Sequence, residues 1–308
     1  MNRCLILGDI FLDINIKLDN DILYGDITQC KKFSYNFGGA YNIAYTLNIL
    51  GVNPILVGKV GNDIFGRIFR ELINDQNIEN YIFEDRDNPT GILISIIDSS
   101  GERSFITARG ANDNLTIDEI SVINKLEYGY LYVSGYSFRD STQRSSYLYA
   151  MELSKDSTII FDPASYDVIN NNRSVILKAL ELTDILSCNE KEAICLTNTN
   201  NINNSALILS EMVPLVIIRL GSKGCMICSN KEIKYIPTQK VQSIDTTGAG
   251  DAFTSALIYG ISNNWGIEKS AYFANIFAAM KTTKLGSISL PTKDEIKEMI
   301  NKTCDLYG

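Results

Sequence analysis

Short apolar runs alternate with amphipathic stretches along almost the whole chain, and this constrains the fold more than any other feature. Cys4–Leu7, Pro54–Gly58, Tyr130–Val133, Thr158–Phe161, Ile185–Leu186 and Leu215–Arg219 predict buried strands. The stretches between them predict helices over Ala40–Leu50 (closed by Gly51), Phe65–Asp75, Thr142–Leu153, Ser174–Leu182 and Glu190–Leu196. After Gly250 come two further helical patterns, Asp251–Tyr259 and Glu268–Leu285, and Lys293–Lys302 follows Pro291. Strands alternating with helices build βαβ units, so the expected class is α/β, with a mainly parallel sheet covered on both faces. The 308 residues suit one such domain, spanning 1–308.

Two regions break the rhythm. Around 13–35, Ile14, Ile16 and Leu18 alternate with polar residues. Around 90–108, two strand-like runs flank Ser99-Ser100-Gly101-Glu102, which reads as a hairpin turn. These antiparallel signals predict a small projecting sheet, suited to close over a substrate. Asn170–Asn172 and Asn198–Asn204 read as surface loops.

Composition removes whole classes of chemistry. The chain has no histidine, which excludes Ser-His-Asp and Cys-His nucleophilic systems and zinc hydrolases of the H-E-x-x-H type. Acid–base work falls to Asp, Glu, Lys, Tyr or Cys. The seven cysteines are odd in number and scattered, so reduced thiols are expected. Cys225 and Cys228 form a C-x-x-C without a second pair, and read as two thiols on an apolar strand. Net charge is −8 and no basic stripe is present, so no nucleic-acid partner is expected. No apolar stretch reaches about 18 residues, so no membrane span is expected, and the first apolar run is too short for a signal core. The expected location is cytoplasmic.

The segment Asp245-Thr246-Thr247-Gly248-Ala249-Gly250-Asp251 carries the chemistry. Gly248 and Gly250 let backbone turn tightly and approach a ligand. The N–H groups from Gly248 through Ala249 and Gly250 to Asp251, at a helix start, suit an anion such as a phosphate in transit. Asp251 stands at the mouth of that helix, where a carboxylate can take the proton of an attacking hydroxyl.

This string resembles the C-terminal signature D-T-x-G-A-G-D of the ribokinase-like, or PfkB, carbohydrate kinases. Far upstream, Gly38-Gly39-Ala40-Tyr41-Asn42, followed by Gly51, Gly58, Gly61, Asp63 and Gly66, resembles the family's N-terminal pattern. The resemblance implies a ribokinase-like three-layer fold with a projecting lid. It implies ATP and Mg2+ as cofactors, a sugar or sugar derivative as acceptor, and a homodimer formed through the projecting sheet. It places Asp13, Gly38, Gly39 and Asn42 at the acceptor. Asn189 with Glu192, in Asn189-Glu190-Lys191-Glu192, matches the N-x-x-E motif that in the family supports magnesium through water. The strand end Arg219 with the turn Gly221–Gly224 matches the nucleotide pocket, and Asn275 aligns near adenine or ribose, although an ordinary helix position is an equal reading. Asp245, Thr247, Gly286 and Ser289 stand where several relatives bind a monovalent cation, which makes potassium a candidate activator.

The residues also admit other readings. Asp13 lies beyond the end of the first strand, where α/β sheets bind ligands, and can equally be a turn aspartate. Tyr41 stands where a small residue is common, which suggests an aromatic pocket wall. Arg109, before Gly110-Ala111-Asn112, suits an acidic or phosphorylated substrate, or simply the surface. A nucleoside acceptor stacked on Tyr41, Phe11 or Phe105 is the nearest alternative to a sugar. A silent sensor on the kinase fold is another, and the intact Gly248–Asp251 argues against it. No G-x-G-x-x-G follows the first strand, which disfavours a dinucleotide-binding oxidoreductase.

Overall fold

In the computed structural model, residues 2–99, 102–139 and 141–307 are described. Ser100 and Gly101, the centre of the expected hairpin turn, lie outside the described residues.

The chain opens with β1 (Arg3–Leu7), β2 (Ile10–Leu18) and β3 (Cys30–Gly39). Helix α1 (Ala40–Leu50) stops at Gly51, whose φ of 82° is the left-handed closure the sequence predicts. There follow β4 (Asn53–Gly61), α2 (Ile64–Asp75), β5 (Glu79–Asp85), β6 (Gly91–Ile97), β7 (Arg103–Ala108) and the short α3 (Ile117–Ile120). The middle of the chain alternates: β8 (Tyr130–Ser134), α4 (Ser141–Leu153), β9 (Thr158–Asp162), α5 (Tyr166–Asn171), α6 (Arg173–Glu181), β10 (Ile185–Asn189), α7 (Glu190–Thr197), α8 (Ile202–Leu209) and β11 (Leu215–Arg219). The antiparallel β12 (Cys225–Ser229) and β13 (Glu232–Ile236) precede α9 (Ala249–Ser262), α10 (Ile267–Thr282) and α11 (Lys293–Tyr307).

Among the described residues, nine strands form the main sheet in the order β13-β12-β11-β10-β9-β8-β1-β4-β5, parallel from β11 to β5. Side chains alternate across it, so neighbouring residues enter different cores. Cys4 and Ile6 pack with α1, α2, α9, α10 and α11, whereas Leu5 and Leu7 pack with α4 to α8. Cys225 and Cys228 divide in the same way, one to each core, and both thiols are free. Helices thus cover both faces.

The expected small sheet is present as a second, separate sheet in the order β3-β2-β6-β7. Its roots are fastened to the main body. Asn112 accepts the Ile10 N–H (2.8 Å) and donates to the Ile10 carbonyl (2.9 Å) where β2 begins. Asp63 caps α2 through the Gly66 N–H and also accepts the Thr90 N–H (2.7 Å) just before β6.

Several elements escaped the sequence reading, among them the short α3 and α5. Strands β5 and β13 lie at the two sheet edges and are little buried, so they carry no strong run of buried apolar residues. Helix α8 begins inside the Asn-rich stretch read as loop, because Asn201 caps it by accepting the Asn204 N–H. Asn170–Asn172 is no surface loop either. Helix α5 runs into it, and the buried Asn172 donates to the Val168 carbonyl.

Candidate active site

Strands β1, β8, β9, β10 and β11 all end at one edge of the sheet, and α9 starts there. Loops at this edge collect the polar residues, as ligand sites in open α/β sheets do.

Helix α9 begins at Ala249, behind Gly248 in the left-handed region (φ 74°). A side chain at Gly248 would strike the Ser287 backbone 2.6 Å away, so this turn needs glycine. The Ala252 N–H donates to the Gly248 carbonyl, which closes the first turn. The N–H groups of Gly250 and Asp251 therefore have no carbonyl within their own helix. The Ala249 N–H, expected in the anion hole, instead donates to the Thr246 carbonyl (3.1 Å), and its contribution there is withdrawn.

Asp251 sits in this first turn. Asn42, in the first turn of α1, donates from Nδ2 to Asp251 Oδ2 at 2.9 Å. Burial raises the Asp251 carboxyl to about 6, and Asp162 adds to the rise. The Asn42 bond, Arg219 and Lys281 oppose it. Asp13, on β2 opposite Asn36, is buried and raised to about 7 by burial first and by the charge of Asp251 second. Asp13 Oδ1 and Asn42 Oδ1 are both buried without a hydrogen-bond donor. Two unsatisfied acceptors beside a carboxylate form a socket for donors such as hydroxyls.

The glycines expected to admit the ligand do something more local. A Cβ on Gly38 would lie 1.9 Å from Asp13 Oδ2, so Gly38 makes room for that carboxylate. Gly39, at φ 71°, lies against the Asp9 carbonyl, which accepts the Ala40 N–H (2.7 Å).

Beside Asp251 lies a charge cluster. Arg219 donates from Nη1 to Asp162 Oδ2 (2.9 Å) and Ser187 Oγ (2.8 Å), and its Nη2 is 3.6 Å from Glu192 Oε2. Asn189 and Glu192 form a capping box at the start of α7. Glu192 is buried and its carboxyl is raised by burial and Asp162, with Arg219 working against them. Arg219, expected at the nucleotide, is thus committed to carboxylates. Asn275 also departs from expectation. Its Nδ2 donates to the carbonyls of Ile236 (3.0 Å) and Pro237 (3.2 Å), which ties α10 to the end of β13. Gly221 (φ 60°) borders open space, while Gly224 (φ 94°) packs on the Ile236 carbonyl.

Two other expectations fail. Tyr41 is fully buried against Phe69 and Tyr45, in the core behind α1, and lines no pocket. Arg109 is largely buried and faces inward. It makes a two-pronged pair with Asp9 (2.8 and 3.0 Å) and donates to Asp113 and Gln143 as well. It serves the interior as an ion-pair partner.

The four residues expected around a monovalent cation do gather. Asp245 Oδ1 accepts the Thr247 N–H and Oδ2 accepts the Gly286 N–H, both at 2.9 Å, while the Ser289 N–H reaches the Gly286 carbonyl. The Lys281 ammonium enters the same group and donates to the Thr247 carbonyl.

Asp162, Lys281 and Asn36 were missed by sequence reasoning. Asp162 had a signal, since it directly follows an apolar strand. Lys281 had a weaker one, a cation ending an apolar helix pattern. Asn36, which donates to Ser287 Oγ (3.0 Å) and so joins the small sheet to the body, had none.

Among the described residues no three acidic or thiol side chains converge to hold a metal alone. The cluster of Asp162, Glu192 and Asp251 against Arg219 is nonetheless short of positive charge. This fits a divalent cation that arrives with phosphate and water ligands.

A sequence profile described as pfkB family carbohydrate kinase matches residues 1–294. A Pyrococcus horikoshii protein assigned as a sugar kinase is 30% identical over 300 residues, covering 94% of this chain and 93% of that protein. A fructokinase from Vibrio alginolyticus is 27% identical over 320 residues, covering 98% and 100%. Among solved structures, an Escherichia coli protein assigned as a ribokinase II, in complex with ATP and Mg2+, superposes with a TM-score of 0.86 at 22% identity, covering 98% of this chain and 100% of that one.

Proposed function

This chain belongs to the pfkB family of carbohydrate kinases, and we propose that it transfers the γ-phosphoryl group of ATP to a hydroxyl of a sugar or sugar derivative. The observation that carries this reading is the socket itself. The buried, donorless Oδ1 atoms of Asp13 and Asn42 stand beside the Asp251 carboxylate at the open first turn of α9. A polyhydroxylated acceptor supplies the missing donors. Its hydroxyl loses a proton to Asp251, which burial has made basic enough for the task near neutrality. The Gly250 and Asp251 amides, with Gly248 shaping the turn, hold the charge on the group in transit. Asn42 orients Asp251 throughout.

ATP is placed along the Gly221–Gly224 turn and the edge formed by β10 and β11. Mg2+ would neutralise phosphate charge when bound, and Glu192, supported by Asn189, is the residue that would help to hold it. Arg219 pairs with Asp162 and works against the burial that raises the Glu192 carboxyl. The small sheet closes over the acceptor through the Asn36–Ser287 contact and excludes water.

One face of that sheet is apolar and uncovered. Phe33, Tyr35 and Ile106 are exposed there, alongside the half-buried Ile14, Ile16 and Ile94. A second copy of the chain is the occupant we propose for it. No helix among the described residues is long and apolar enough to cross a membrane, and a cytoplasmic location is part of the same proposal.

The test is ATP consumption at saturating Mg-ATP against a panel of sugars, sugar acids, sugar phosphates and nucleosides. Turnover on a sugar-type acceptor is expected. Turnover confined to nucleosides would replace the acceptor class, and no turnover on any acceptor would overturn the reading.

A further inference from the structure

Lys281 lies at the end of α10 with no exposed surface. Burying an ammonium is costly unless its donors are met, so its partners define its purpose. Two of those partners are backbone carbonyls. Nζ donates to the Thr247 carbonyl and lies 3.5 Å from the Asp245 carbonyl. Both belong to the turn that leads into the phosphate-binding start of α9. The next residue on α10 fixes the turn from its other side, because the Thr282 carbonyl accepts the N–H groups of Ile244 (2.7 Å) and Asp245 (3.0 Å). One helix end therefore anchors the turn and supplies it with a positive charge.

Carbonyl oxygens converging from a turn are what a monovalent cation requires, and Asp245 and Thr247 are two of the four residues expected to bind one. Potassium does not fit where the ammonium of Lys281 already meets those carbonyls, because like charges at that distance repel strongly in a buried site. We propose that Lys281 is the resident cation of this kinase, fixing the turn before α9 and removing any need for potassium. Lys281 acts through the turn and is a positioning residue. Its charge also favours the ionised form of Asp251.

The kinetic arm of the test rests on the kinase reading. The acceptor found by the substrate screen is assayed at constant ionic strength in potassium, sodium or tetramethylammonium chloride. Wild-type kcat is expected to agree within about twofold across the three salts. Lys281→Ala is expected to lose ~100-fold in kcat in tetramethylammonium, on the scale of one lost transition-state contact, with KM little changed. Potassium or methylammonium should restore at least ~10-fold of that loss by refilling the vacated carbonyls. Potassium activation of the wild type, full activity of Lys281→Ala without a small cation, or a loss that neither cation restores would each overturn the proposal.

A thermal arm needs no substrate and separates this inference from the choice of acceptor. The wild-type melting temperature should be the same in potassium and tetramethylammonium, whereas that of Lys281→Ala should rise with potassium. If Lys281→Ala does not fold, Lys281→Met is melted in its place. A wild type that melts higher in potassium sinks the idea by itself.

Discussion

Two largely buried arginines, Arg109 and Arg219, look alike in the chain and in their immediate chemistry. Each guanidinium is held by carboxylates in the interior of the domain. Around Arg109 the accounts close. Asp9 receives both of its prongs and a further bond from Gln143, and Asp113 is partly in solvent. Around Arg219, Asp162 and Glu192 share one guanidinium, with Asp251 close enough to feel Asp162 and Arg219. The first cluster is satisfied and holds structure together. The second carries excess negative charge in a place of low dielectric, and is therefore ready for a cation, a phosphate complex and a proton. The residue type does not separate the two roles. The balance of charge around it does.

The strongest way to test the contrast is Asp251→Asn. Removing the base should lower kcat by ~10²–10⁴-fold with modest change in KM, in steady-state assays. The same variant should melt higher than wild type at pH 8. The native Asp251 carboxyl is raised to about 6, so the folded state binds its proton more tightly than the unfolded chain. Its stabilising contribution is present at low pH and is lost as pH rises through about 6, where the carboxylate must ionise in a buried site. Asparagine escapes that loss, and its advantage should shrink as pH falls below the same value. Equal melting of the two proteins at pH 8 and well below 6 would contradict the burial argument.

Next come the arginines themselves. Arg109→Met and Arg219→Met should each cost about 3–5 kcal/mol in urea denaturation, since each strands buried carboxylates. Assayed cold, where both remain folded, only Arg219→Met should alter the kinetics, by pushing the acid limb of kcat/KM to higher pH. If Arg109→Met moved the limb equally, the contrast between the clusters would dissolve. Asp13→Asn is expected to be milder and confined to the acceptor. The loss of a charged hydrogen-bond acceptor should raise KM for the acceptor by ~10–100-fold and leave KM for ATP unchanged. The smallest expected signal is in wild type. Its kcat/KM should fall as pH drops through the range of 6 to 7, where Asp251 and Asp13 take up protons.

Much of the fold was legible because periodicity reports burial. Strand β11 and helix α1 begin and end where the pattern places them. Elements at the edges were lost for the converse reason, since Glu79–Asp85 and Glu232–Ile236 meet water along much of their length. In the site, Asp251 and Asn42 were readable because each lies in the first turn of a helix that follows a glycine turn, whereas Asp13, in the middle of β2, carried only the family resemblance. Arg109 and Tyr41 were misread because a sequence shows that a group is charged or aromatic, but not whether its neighbours already satisfy it.

The sequence by itself therefore determined the layered α/β architecture, the projecting sheet, and the glycine turn with its aspartate. These follow from local periodicity and from backbone conformations that only certain residues adopt. The tertiary structure alone decided the pairings over long separations: Asn42 with Asp251, Arg219 with Asp162, and Lys281 with the Thr247 carbonyl. The reason is electrostatic. What a buried charge does depends on every other charge and dipole that folding brings within a few ångströms, and the order of residues along the chain does not record those distances.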